Sequence, residues 1–303
     1  MIYTLTASPS LDLVLTIPRK LQSGDSLRAS AEEWRPGGRG INISIMLKNL
    51  GIDSTALGFV AGFSGDELMR LAAESGVRTG FIRVRRGRTR INLKLRDPDG
   101  DTRINGLGPV VSQSDIDYLN HRIAGFHDGD FLILAGNIPP SLPQDIYGKF
   151  CSTVRGRDIK VILDAPCELW DAVLPHRPFL FKAKLGELAE YSSCDPQDPD
   201  SIIAAGNDIR RKGALNVLIS LGPKGALYLG ADDSEMHIRA PAVAEVVDKS
   251  GAGDSMIAGF MSDYLTYGDT KSAVKMAVAA GSATAGSAGF ASATEVRELR
   301  ELM

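Results

Sequence analysis

Cysteine is scarce in this chain: Cys151, Cys167 and Cys194 are the only three among 303 residues, and they show neither a pairing nor a metal-ligand spacing. That excludes a disulfide scaffold and a zinc ribbon, and it fits reduced thiols in a cytoplasmic protein. The histidines are few and scattered (His121, His127, His176 and His237), again without ligand spacing. No apolar run approaches the ~20 residues needed to cross a bilayer. The apolar start Met1–Ala7 has no basic region and soon meets Pro9, so no signal peptide is expected. Positive charge is not in excess: 34 Lys and Arg against 37 Asp and Glu leave a net charge of −3. Nucleic acid and membrane partners therefore have no general electrostatic support. No internal repeat or low-complexity tract is visible.

Apolar residues (44%) and glycine (32 residues) are plentiful, enough for a large core with many tight turns. Buried strand patterns at 2–6, 55–60, 131–135, 160–164, 178–182, 216–220 and 226–229 alternate with helical patterns. The helices are expected from Gly65 onward, over 114–125, 143–155 and 199–212, from Glu187, and over 254–267 and 270–288. This rhythm predicts an α/β fold: a three-layer α/β/α arrangement around a mostly parallel sheet. Ligands then bind at the C-terminal strand ends, where Asn137, Asp164, Lys182, Gly222 and Asp254 gather. Two β-only excursions break the rhythm, at 11–35 and 88–106. The second carries a hairpin signal at Asp97-Pro98-Asp99-Gly100. They are expected to pair into a small β-sheet lid over the main body, residues 1–10, 36–87 and 107–303.

One stretch carries chemistry. Gly251-Ala252-Gly253-Asp254 opens an apolar helix. Such a turn aims backbone N–H groups at one point, at the positive end of the helix, and so suits a phosphate or a developing anion. A carboxylate beside bound phosphate repels it. Asp254 is better suited to taking a proton from a hydroxyl that attacks the phosphate. The ordinary alternative is a glycine turn with an aspartate in the first helical turn. A second glycine turn, Gly37-Gly38-Arg39-Gly40-Ile41-Asn42, allows close backbone approach, and Asn42 offers the donor and acceptor that a polyol needs. Asp12 is a polar residue in an apolar strand: either a turn aspartate or a sugar-binding carboxylate. Arg90, Asn92, Lys94 and Arg96 share one strand face. That face is either simply solvated or, through Arg90 and Arg103, a grip on a phosphate.

Together these stretches resemble the ribokinase-like carbohydrate kinases, over nearly the whole chain. Thr89-Arg90-Ile91-Asn92-Leu93-Lys94, Ser220-Leu221-Gly222-Pro223-Lys224-Gly225 and Gly251-Ala252-Gly253-Asp254-Ser255-Met256 are most similar to the branch acting on phosphorylated ketohexoses. That branch holds the 1-phosphofructokinases, the tagatose-6-phosphate kinases and the minor type of 6-phosphofructokinase. The resemblance implies transfer of the γ-phosphate of ATP to a sugar-phosphate hydroxyl, first of all fructose 1-phosphate. It makes Asp254 the general base and the backbone of Gly251, Ala252 and Gly253 the anion hole. Asp12, Gly37, Gly38, Arg39, Asn42 and Asn137 would hold the sugar, and Arg90, Arg28 and Arg103 its phosphate. Lys182, Lys184, Ser220, Gly222, Gly225, Ala280 and Thr284 would surround the nucleotide. Glu187 would reach Mg²⁺ through water. K⁺ is a secondary expectation, weakened by Asp248 and Ser250 ahead of the glycine turn. A lid over a sugar site leaves an apolar face, so a homodimer joined through the lids is expected.

Departures accompany the likeness. The family's Lys-Pro-Asn-x-x-Glu stretch reads Lys182-Ala183-Lys184-Leu185-Gly186-Glu187 here, which puts an ammonium where a neutral amide is usual. Asn137 replaces a serine and Arg39 a frequent lysine. A weakly catalytic sugar-phosphate-binding regulator is the second reading. A nicotinamide dehydrogenase is disfavoured by the lack of Gly-x-Gly-x-x-Gly after the first strand.

Overall fold

The computed structural model describes residues 1–243 and 245–303. The first half runs β1 (Ile2–Thr6), β2 (Ser10–Thr16), β3 (Ala31–Gly37), α1 (Arg39–Asn49), β4 (Thr55–Val60), α2 (Gly62–Glu74), β5 (Arg78–Thr79), β6 (Ile82–Arg83), β7 (Arg90–Asp97), β8 (Gly100–Ile104) and α3 (Gln113–Ala124). It continues with β9 (Phe131–Ala135), α4 (Ile146–Thr153), β10 (Lys160–Asp164), α5 (Trp170–Val173), β11 (Leu180–Lys184), α6 (Leu185–Ser192), α7 (Pro199–Lys212) and β12 (Asn216–Ser220). The last elements are β13 (Ala226–Leu229), β14 (Glu235–Ile238), α8 (Ala252–Tyr267), α9 (Thr270–Ala285) and α10 (Ala293–Glu301).

The main sheet follows the order β14-β13-β12-β11-β10-β9-β1-β4-β5, with β6 beside β4. It is parallel from β12 to β5, and β13 and β14 add an antiparallel edge. Strand alternation sorts the apolar side chains onto two cores. Leu132 and Leu134 of β9 pack with α3, α4 and Trp170, while Phe131 and Ile133 pack with α1, α8 and α9. Local signals set the helix ends. Asp198 caps α7 by accepting from the Asp200 N–H at 3.1 Å, and Pro199 follows at the first position.

Several boundaries differ from the sequence expectation. The strand expected at 178–182 is β11, 180–184. Pro178 has no N–H to give, and the Phe179 N–H donates to Val161 O before the ladder with β12 begins at Leu180. This shift puts Lys184 at the end of the strand. The second helix starts at Gly62 rather than Gly65, and the helix drawn over 143–155 is confined to α4. The last long helix stops at Ala285 instead of 288, with Gly286 as its cap. Strand β14 and helix α10 have no counterpart in the sequence expectation.

The two β-only excursions form a separate four-stranded sheet, order β3-β2-β7-β8. β2 pairs antiparallel with β3 and parallel with β7, and β7 and β8 form the hairpin at 97–100. Asp97 Oδ1 accepts from the Asp99 and Gly100 N–H groups at 2.8 and 3.1 Å, which closes that turn.

Candidate active site

A cleft of about 1180 Å³ lies between the small sheet and the C-terminal edge of the main sheet. Asp12, Asn42, Arg90, Lys184, Gly253 and Asp254 are on its walls. The small sheet supplies the first and third of these. The glycine turn into α1 supplies Asn42, and the first turn of α8 supplies Asp254.

Asp254 is 7% exposed. Its Oδ2 accepts a hydrogen bond from Asn42 Nδ2 at 2.7 Å. Burial, and then the negative charge of Asp164, push its carboxyl up to about 6, against the pull of Asn42, Lys182 and Arg39. A carboxylate with that pKa is ionised at neutral pH yet basic enough to accept a proton. Just ahead of it, Gly251 caps α8 at φ 80, a left-handed conformation that favours glycine. The first i→i−4 bond of α8 is Ser255 N–H to Gly251 O at 2.8 Å, and the Ala252 N–H makes only a 3.4 Å contact with Lys249 O. The N–H groups of this first turn have no helix partner, and Gly251, Gly253 and Asp254 are on the cleft wall while Ala252 is not.

Behind them stands a charged cluster. Lys182 is fully buried and donates to Asp164 Oδ1 at 3.1 Å. A Cβ on Gly253 would lie 2.8 Å from the Lys182 ammonium, so glycine here lets that charge sit against the helix start. Arg39 bridges Asp164 Oδ1 at 2.9 Å and Glu187 Oε1 at 3.2 Å. Burial works against its charge, but Asp164 and Glu187 raise its pKa further. Lys184 is lowered by burial and by Arg39 and Lys182 beside it. Arg39, expected on the sugar, is thus turned to the ends of β10 and α6 and belongs to the phosphate end of the cleft.

At the other end, Asp12 Oδ1 accepts from Asn92 Nδ2 at 2.9 Å. A Cβ on Gly37 would fall 2.4 Å from Asp12 Oδ2, so only glycine admits this carboxylate. Burial raises the Asp12 pKa, opposed in part by Arg90. The Arg90 Nε is buried without a hydrogen-bond partner, and burial lowers its pKa. An unpartnered guanidinium donor on the wall of the cleft is a ready anion contact. Gly38 and Asn137 also line the cleft.

Other expected residues lie elsewhere. Arg28 is exposed, in the loop between β2 and β3, and is not on the cleft wall. Arg103 reaches the cleft, but its guanidinium donates to Ser250 Oγ at 2.8 Å. Ser220 ends β12, and Gly222 and Gly225 lie in the turn to β13; none of the three is on the cleft wall. Ala280 and Thr284 are fully buried. Thr284 Oγ1 lies 2.8 Å from Ser255 Oγ, so both residues belong to the packing of α9 on α8 and offer no surface to a nucleotide.

The donor set does not fit a metal ion ligated directly by protein. Among the described residues, no group of three or more His, Cys, Asp or Glu could hold one. Glu187, expected near Mg²⁺ through water, is held by one bond at each oxygen: Oε1 accepts from Arg39 and Oε2 from the Lys184 N–H at 3.0 Å, which leaves each oxygen a further acceptor site. Asp248, near the doubted K⁺ position, is occupied by Lys94 and Arg96.

A buried carboxylate in the cleft, a glycine turn at a helix start and an arginine Nε without a partner at the far end fit phosphoryl transfer to a polyol. The model of pfkB family carbohydrate kinases matches residues 8–297. The chain belongs to that family. It is 35% identical to the 1-phosphofructokinase of Bacillus subtilis, over 94% of this chain and 92% of that protein. It is 34% identical to the D-tagatose-1-phosphate kinase of Bacillus licheniformis, over 96% of this chain and 94% of that one. Its fold superposes on phosphofructokinase-2 from Escherichia coli, solved in complex with substrates and products, with a TM-score of 0.91 and 27% identity over 99% and 98% of the two chains.

Three residues in this pfkB-family site have partners that the sequence does not disclose. Asp164, expected at the ligand end of its strand, organises the cation cluster of Lys182 and Arg39. Asn92 fixes Asp12 and shares a strand face with Arg90. Asp248 was noticed only as an unusual residue; nothing local announces its partners on β7.

Proposed function

We propose that this protein transfers the γ-phosphate of ATP to the C6 hydroxyl of a ketohexose 1-phosphate, first of all fructose 1-phosphate, giving the 1,6-bisphosphate and ADP. The observation that carries this reading is the buried Asp254, raised to about 6 and oriented by Asn42, at the amide turn of α8. Asp254 accepts the hydroxyl proton as the oxygen attacks the γ-phosphorus. The first-turn amides of α8, with Lys182 behind them, hold the transferring group. Asp12 and Asn42 orient the sugar, and Arg90 holds the phosphate already present. Lys184 and Arg39 add positive charge at the nucleotide end. Mg²⁺ would arrive with ATP and would supply further positive charge at its phosphates.

The small sheet acts as a lid that keeps water from the reacting phosphate. The face opposite Asp12 and Asn92 carries a cross-strand row, Trp34, Leu13, Leu93 and Ile104, of which Trp34 and Leu93 also border the cleft. Trp34 is 37% and Ile104 57% exposed, which supports a homodimer joined through the lids. Three free thiols and the need for ATP support a cytoplasmic location. No helix among the described residues is long and apolar enough to cross a membrane.

A coupled ADP-release assay across fructose 1-phosphate, tagatose 1-phosphate, the 6-phosphates and free hexoses tests the reading. Turnover only with free sugars would overturn the role of Arg90. Preference for tagatose 1-phosphate would move the substrate to the epimer while leaving the chemistry intact.

A further inference from the structure

Asp248 stands three residues before the left-handed Gly251, on the segment that leads into the amide turn. Its side chain is 8% exposed. Oδ2 accepts from Lys94 Nζ at 2.8 Å and from Arg96 at 3.2 Å, both on β7. Oδ1 accepts from the Ser250 N–H at 2.9 Å and closes a local turn. Ser250 is itself held from the small sheet, by Arg103 of β8. Asp101 of β8 shares the cations, 2.9 Å from Lys94 and 3.3 Å from Arg96. From the opposite side, the Val247 and Asp248 N–H groups both donate to Ala285 O at the end of α9, at 2.9 and 3.2 Å. The segment is therefore clamped between α9 and the small sheet.

We propose that Asp248 is a positioning residue for phosphoryl transfer: its ion pairs to Lys94 and Arg96 tie the small sheet to the amide turn, so that the turn takes its working shape only with the lid seated. The proposal rests on the phosphoryl-transfer reading of the site. The physical reason is burial. An exposed ion pair contributes little, but a carboxylate this enclosed recovers its lost hydration only while both cations are present. Lifting β7 removes them, and Asp248 must then swing toward water and take the 248–250 backbone with it. The same pairing engages Lys94 and Arg96, which leaves Arg90 as the unpartnered guanidinium for the substrate phosphate. A turn that forms only under a seated lid also withholds its amides from ATP alone, which limits wasteful hydrolysis.

The test compares Asp248→Asn, Asp248→Ala, Lys94→Met and the double variant Asp248→Asn/Lys94→Met in the full chain. The asparagine keeps an oxygen for the Ser250 N–H and removes only the charge. The readouts are kcat, KM for ATP and for fructose 1-phosphate, ATP hydrolysis without acceptor, and hydrogen exchange of segments 90–97 and 247–253. Asp248→Asn and Lys94→Met should each lower kcat roughly 10- to 100-fold with KM for ATP nearly unchanged, and the double variant should be no worse than either. Exchange should quicken in both segments in each single variant. The proposal is overturned if Asp248→Asn behaves as wild type while Asp248→Ala does not, since the local turn alone would then matter. It is equally overturned if the single effects add, or if the two segments exchange independently. Should Asp248→Asn fail to fold, Lys94→Met probes the same link. If the wild-type protein phosphorylates no hexose phosphate, the functional reading fails, while the exchange experiment still decides the coupling.

Discussion

Asn42 Nδ2 and Asp254 Oδ2 meet at 2.7 Å across 212 residues of sequence, joining the start of α1 to the start of α8. This bond fixes the direction in which the Asp254 carboxylate presents its free oxygen. It also couples the sugar-side glycine turn to the phosphate-side one.

Asp254 should govern the pH profile. Its carboxyl, raised to about 6, must be ionised to accept a proton. We expect kcat/KM to fall about tenfold per pH unit below 6 and to level off above 7. Asp254→Asn should lose roughly 10²- to 10⁴-fold in kcat while still binding ATP, as measured by equilibrium titration.

The same substitution should stabilise the fold. The folded pKa of about 6 exceeds the reference value of 3.8. The native state therefore binds this proton more tightly, and the group's contribution is lost as pH rises through 6. Above that pH the buried charge costs roughly 1–3 kcal/mol. Calorimetry at pH 8 should give Asp254→Asn the higher Tm, and the difference should vanish below pH 4. A lower Tm for the variant at pH 8 would contradict the assigned burial cost.

Arg90→Met should raise KM for the sugar phosphate roughly 10- to 100-fold, the contribution of a lost charge-assisted bond. KM for ATP should stay near wild type. Because Arg90 Nε has no protein partner, Tm should not fall. A large loss of stability would make Arg90 a structural residue.

Lys182→Met should be costly. Lys182 and Asp164 are both fully buried; without the ammonium Asp164 keeps only Arg39, at 2.9 Å, and the lost charge-assisted bond should cost roughly 1.5–3 kcal/mol. Lys182→Met/Asp164→Asn should recover much of that loss in denaturant melts. Additive losses in the double variant would mean that the pair is not the cause.

Trp34→Asp tests the apolar cross-strand row of the lid. Light scattering at micromolar concentration should give a dimer for wild type and a monomer for the variant. A monomeric wild-type protein would contradict the proposed assembly.

Much of this molecule could be read along the chain. The strands at 131–135, 160–164 and 216–220 are short apolar runs bounded by turn residues, and helix 199–212 carries its own cap, proline and basic last turn. The Gly-Ala-Gly-Asp stretch was equally legible, because the backbone conformation of a helix start depends on its own few residues. Boundaries failed where a neighbour decided them, as when Val161 O engaged Phe179 and shifted β11 by two residues.

The side-chain partners were a different matter. Sequence alone established the α/β rhythm, the two glycine turns and the place of Asp254 in the first turn of its helix, because periodicity and turn chemistry are local. Tertiary structure alone decided that Arg39 joins Asp164 and Glu187 rather than the sugar. It also decided that Ala280 and Thr284 are helix packing, and that Lys94 and Arg96 close on Asp248 rather than standing on a solvated face. A long cationic side chain takes the nearest carboxylate in space, and which carboxylate that is depends on strand order and helix docking, which bring together residues more than a hundred positions apart.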